Sequence, residues 1–162
     1  MNRKSLIRQL EAELRQARKD FKDGKFIPLE EFDWGIPMLV AESREEYRVA
    51  NEVWTPIAVH PSVSLQLNSI YSYIADNLYN EPAAYHFKAI VKSKFSTIST
   101  FPKVGTFILL VADDILKEFS DIRKITVNRY IILYEYHEEI DVVGITHIFH
   151  QMQDYGKIFK DR

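Results

Sequence analysis

Apolar residues recur along the first turns of the chain at Leu6, Leu10, Leu14, Ala17 and Phe21, spaced four, four, three and four apart with charge on the remaining positions. This period predicts a helix over residues 2–23, and Gly24 fits the left-handed residue that ends one. The stripe is narrow, so the helix needs a partner surface to be stable in water. The next stretch, KFIPLEEFDWGIPMLVAESREEY, is rich in anchors: Phe26, Ile27, Leu29, Phe32, Trp34, Ile36, Met38 and Leu39. Pro28, Gly35 and Pro37 break any helical or alternating pattern in it. A segment too apolar for a solvated linker and too broken to form its own core reads in two ways. It is an extended strap filling a groove on another domain, or a connection packed over its own domain. SREEYRVANEV continues as a polar connector with some helical character.

WTPIAVH is a short strand, and His60-Pro61-Ser62 opens a helix with proline in its first turn. Val63, Leu67, Ile70, Ile74 and Leu78 keep a helical period, Asn80-Glu81-Pro82 punctuates, and a second helix follows with Phe87, Val91, Phe95 and Ile98 as its stripe. Phe101-Pro102 stops it. Two helices joined by so few residues pack antiparallel. FILLVADDILKEFSD then fits a strand followed by a helical turn without settling either. RKITV, RYIILYEY and IDVVGITHIF are β-branched and aromatic runs, separated at Asn128 and at His137-Glu138-Glu139. They form a meander. The expected fold is α+β, an antiparallel helical hairpin packed on a mostly antiparallel sheet, preceded by a helix and an extended strap.

A chain of 162 residues, 46% hydrophobic and 27% charged, has the composition of one soluble domain plus some extra length. It contains no cysteine, which excludes disulfides and thiolate chemistry. The charged start lacks an apolar leader segment and no stretch reaches the length of a membrane span, so a cytoplasmic location with no membrane partner is expected. A net charge of −2 argues against nonspecific nucleic-acid binding. The charge is unevenly placed: residues 1–25 carry eight Lys/Arg against four Asp/Glu, and residues 26–53 carry two against seven. A basic helix is followed by an acidic strap. His147 and His150, three apart on a strand, face opposite ways and do not form a shared metal site, and no cofactor is expected.

The stretches IAVHPSVSLQLNSIYSYIADNL, FPKVG, IRKITVNRYIILYEY and ITHIFHQMQDY, in that order, resemble the ParE branch of the RelE/ParE superfamily, the toxins of bacterial type II toxin–antitoxin modules. The resemblance covers about residues 55–158 and implies a RelE/ParE-like fold. The first 53 residues are similar to the toxin-binding tails of small antitoxins, a helix followed by a strap, without the DNA-binding half that precedes such tails. The resemblance therefore implies an antitoxin-like segment over 1–53 and a toxin domain over 54–162, with no direct operator DNA binding. The strap acts in cis or from a second copy, and the latter gives a homodimer.

Members of the ParE branch bind and poison DNA gyrase, which is the target the resemblance implies. Ribosome-dependent mRNA endonucleases of the RelE type are the alternative, and a non-toxic degenerate module is a third reading. Nuclease chemistry needs cations aimed at a developing negative charge and an acid–base group within reach. By resemblance the candidates are Arg123, Arg129, His150 and Tyr155, with Lys124, Asp154 and Tyr155 as target-binding residues. Two family cations are missing. The run Tyr-Arg-Val-Leu-Tyr is here Tyr130-Ile131-Ile132-Leu133-Tyr134, and Gly-Arg after the histidine is Gln151-Met152. The depleted set favours a protein-binding toxin over a nuclease. Solvated surface charge is the ordinary role of Arg123 and Lys124, and a hydrogen-bonded strand-end histidine that of His150. His60 and His86 read as a helix start and a helix surface.

Overall fold

Among the described residues, three strands rich in β-branched and aromatic residues form the centre of a six-stranded sheet: β4 (Ile122–Val127), β5 (Tyr130–His137) and β6 (Val142–His150). The computed structural model describes residues 2–34, 54–108, 117–153 and 155–160. Asn128 and Asp141, at φ 53° and 52°, take the left-handed turn positions that Asn and Asp tolerate best among side-chain-bearing residues. Strand β2 (Ile57–Val59) joins β6 in parallel, β1 (Ile27–Pro28) joins β2 antiparallel, and β3 (Thr106–Phe107) lies on the far edge against β4. The strand order is β1-β2-β6-β5-β4-β3. The sheet is mostly antiparallel, with helices on both faces.

Burial of both faces explains why Ile131, Ile132, Leu133 and Tyr134 run together in the sequence and are all buried. Between β5 and β6, Leu133 pairs with His147 and Tyr134 with Ile145, so Thr146 is an extra residue. This β-bulge resets the alternation. Val143, Ile145 and Ile148 face one core, and Phe149 faces the other.

The first face carries the helical hairpin. Helix α2 (Pro61–Ser72) continues through a π-helical turn at Tyr73–Asn77 and returns as α3 (Glu81–Thr100). Proline stands in the first turn of each helix, and the His60 and Asn80 side chains accept from the Ser62 and Ala83 amides. Val63, Leu67 and Ile70 of α2 and Phe87, Val91, Phe95 and Ile98 of α3 are buried against the sheet. The described part of the strap joins this core through Leu29, Phe32 and Trp34.

On the second face lies α1 (Arg3–Lys22), capped by Asn2 and ended by Gly24 at φ 76°. Leu6, Ile7, Leu10 and Leu14 enter a core shared with Ile122, Ile131, Leu133 and Phe149 of the strands, with Ile108 and Phe119, and with Ile158 and Phe159 of the short α4 (Gly156–Lys160). Ile7, outside the regular stripe, widens the buried face. Each of these side chains gains about 1.5–3 kcal/mol from full burial. That is the partner surface the narrow stripe required. Of FILLVADDILKEFSD, the described ends are Phe107 in β3 and a 3-10 turn at Lys117–Phe119. Ile36, Met38, Leu39, the connector at 43–53 and Asp154 lie outside the described residues. No helix among the described residues is long and apolar enough to cross a membrane.

Candidate functional site

The second face is where the two ends of the chain meet through charge as well as apolar packing. Glu13 and Asp20 lie along one flank of α1. The Glu13 carboxylate is 2.8 Å from His147 Nε2, and Asp20 is 2.7 Å from His60 Nε2. Burial works to raise the Glu13 pKa, but hydrogen bonds from His147 and Tyr155 outweigh it and hold the carboxyl below its usual range. For Asp20 the hydrogen bond from His60 dominates, also downward.

On the opposite flank Arg18 makes a two-pronged contact with Glu135, Nε to Oε2 at 3.1 Å and Nη2 to Oε1 at 2.9 Å. A third donor, Nη1, reaches the Glu118 carbonyl at 3.1 Å, and the guanidinium lies 4.6 Å from the centre of the Phe119 ring. Glu135 is nearly buried, so Arg18 supplies compensation that water does not. Arg15 adds a more exposed pair with Glu118 at 2.9 Å. Gly144 in β6 completes the seat. A Cβ there would stand 2.9 Å from the Phe21 ring, so the missing side chain lets the end of α1 lie on the sheet.

The strap is seated differently. Trp34 packs 5.3 Å from Phe95 and 4.8 Å from Phe32, ring centre to ring centre. Ile27 is half-buried and aligned with Val59, whereas Phe26 is 38% exposed and meets Phe21 at the turn out of α1. A shallow cleft between strap and hairpin is lined by Phe32, Asp33, Trp34, Leu67, Asn68 and Lys88. Burial lowers the Lys88 pKa, opposed by Asp33, and its ammonium sits 4.3 Å from the centre of the Tyr71 ring.

The nuclease candidates are dispersed. His150 and Arg129 share the end of the sheet where β5 and β6 meet, since Tyr130 pairs with His150 and the Arg129 carbonyl accepts from the Gln151 amide at 2.8 Å. His150 is held there: its Nδ1 accepts from the Met152 amide at 3.0 Å, and its ring meets Tyr130 edge-on at 5.1 Å. Arg123 lies four residues back along β4 from Val127, about 13 Å from that end at ~3.3 Å per residue. It is occupied, donating to the carbonyls of Lys103 and Gly105 and lying 4.0 Å from the Phe107 ring centre. Lys124 is half-buried at the β3–β4 pairing. Tyr155 is on the other face of the sheet from His150, against His147 and Phe149. Ile131, where the resemblance expects arginine, lies under α1.

The residues that receive α1, namely His60, His147, Glu135 and Gly144, are absent from the candidates named from sequence. A signal for two of them is present: Glu135 and His147 are polar interruptions in otherwise apolar strands. Among the described residues no group of three or more His, Asp or Glu could hold a metal ion.

Residues 57–155 match the family model described as the ParE toxin of type II toxin-antitoxin system, parDE. A comparison with curated proteins finds no match. The matched span runs from the first residue of β2 through the hairpin and the meander to Tyr155, and leaves α1 and the strap outside it. With more than half of its length matched, the chain belongs to the ParE toxin family of type II toxin–antitoxin systems.

Proposed function

We propose that residues 54–162 form a toxin domain that arrests growth by binding DNA gyrase, and that residues 1–53 are an antitoxin-like segment on the same chain that holds it inactive. One observation carries the reading: α1 lies outside the family match, yet it packs on one face of the toxin sheet through Leu6, Ile7, Leu10 and Leu14 and is clasped by a polar contact on each flank. A helix added to an otherwise complete domain would need none of the matching receptors. The toxin domain supplies them in Glu135, His147, His60 and the space above Gly144. Attachment to the same chain raises the effective concentration of the segment, so even modest contacts keep it docked. Exchange of the segment between two copies uses the same contacts.

The choice of gyrase over mRNA rests on the candidate chemistry. Phosphoryl transfer needs cations and an acid–base group converging on one phosphate. Here His150 and Tyr155 are on opposite faces, and Arg123 is committed to backbone carbonyls. Binding a protein target requires no such convergence.

The test uses the full chain and a Leu10→Glu/Leu14→Glu variant, which places charge at two fully buried positions and undocks α1. The variant is expected to block supercoiling by purified gyrase at concentrations where the unmodified chain does not. A folded variant without effect on gyrase overturns the target, and cleavage of ribosome-bound mRNA by it moves the target to the ribosome.

A further inference from the structure

The tip of the helical hairpin carries an aromatic patch that neither core uses. Tyr79 is 92% exposed, Leu78 55% and Tyr73 54%. The backbone beneath them is unusual in two ways. The chain leaves α2 through the π-helical turn at Tyr73–Asn77, and Tyr79 stands at φ 51°. Left-handed conformations of this kind are ordinary for glycine and tolerated by asparagine, but costly for a bulky side chain. The turn itself therefore gains nothing from tyrosine, and the ring contributes nothing to packing. Strained backbone and π-helical turns gather where a surface has a use other than stability.

The turn is nonetheless firmly built. The Leu78 amide donates to the Tyr73 carbonyl and the Asn80 amide to the Ile74 carbonyl, both at 3.2 Å. Tyr71 and Tyr85 brace each other edge-on at 5.5 Å. The patch stands on this hydrogen-bonded turn, and the core contacts of α1 and of the described part of the strap do not include it.

Charge narrows the partner. No lysine or arginine lies between Arg48 and Lys88, while Asp76 and Glu81 flank the exposed rings. Carboxylates beside open tyrosine faces repel nucleic-acid phosphates and anionic headgroups, and suit guanidinium and ammonium groups. The same corner already shows the pairing: Lys88 sits over Tyr71. We propose that the hairpin tip, centred on Tyr73, Asp76, Leu78, Tyr79 and Glu81, is a docking surface for a protein segment that presents arginine or lysine side chains interspersed with apolar ones. Among the described residues, the surface is distinct from the face covered by α1.

Nuclear magnetic resonance titration of the full chain tests this with a short amphipathic arginine-rich peptide and its glutamate-substituted counterpart as probes. Shift changes from the arginine peptide are expected at residues 73–81, with no response to the glutamate peptide. Tyr79→Gly, which suits the left-handed backbone and so keeps the fold, is expected to weaken binding about tenfold, as is Asp76→Asn with Glu81→Gln. Absence of binding, shifts confined to other surfaces, an equal response to the glutamate peptide, or variants that bind like the unmodified chain each overturn the proposal.

Discussion

Arg18 and Glu13 both tie α1 to the toxin sheet, but their surroundings set different values on the two contacts. Glu135, the partner of Arg18, has a side chain only 7% exposed, and removal of the guanidinium leaves a carboxylate in the interior with His137 at 3.8 Å as its nearest replacement. Arg18→Ala is expected to cost about 2–3 kcal/mol. Glu13 is 43% exposed, so water takes over part of its role, and Glu13→Ala is expected to cost about 1 kcal/mol through the partner lost at His147 Nε2. Urea denaturation of the two variants checks both the values and their order. Neither contact was legible in the sequence, because Glu13 and His147 are separated by 134 positions. Composition showed a basic helix and a histidine in a strand. Only the fold brings the acidic flank of that helix onto the histidine.

At the scale of elements, the helix, the hairpin and the meander were legible because each rests on a period that local packing enforces. Leu6, Leu10, Leu14 and Ala17 are the buried stripe, and the β-branched runs are the buried strands. What was not legible depends on pairing between distant segments. The Thr146 bulge arises because β6 must serve two cores, and β1 exists only through its register with Ala58 and Val59. The π-helical turn carries Leu78, which continues the apolar period of α2 in the sequence, out to the surface, and the period itself gives no sign of it. The docking of α1 as an element has a pH dependence that follows from its acidic flank. Both Glu13 and Asp20 titrate below their ordinary values of 4.5 and 3.8 when docked, so their contribution is complete above those values. It is lost as pH falls below them, when the docked carboxylates take up protons. Amide exchange at α1, corrected for intrinsic rates, is expected to show protection that falls below the ordinary carboxylate values before the β5–β6 pairing does.

For the whole molecule, the sheet has two covers, one inside the family match and one outside it. The hairpin belongs to the matched toxin domain, whereas α1 lies outside the match and closes the opposite face. The strap adds a strand to the sheet edge and plants Trp34 beside Phe95. The resemblance identified the toxin family from the ordered motifs, and the missing cation at Ile131 is consistent with a face that receives a helix. Only the assembled fold, though, shows which face that is. The central claim is that this N-terminal segment restrains a toxin. Its most direct test is the growth of bacteria after induction of the full chain or of a variant combining Leu10→Glu and Leu14→Glu with Phe32→Ala and Trp34→Ala, with folded protein confirmed in each culture. The account predicts normal growth with the unmodified chain and arrest with the variant. Normal growth with a folded, accumulating variant would contradict it.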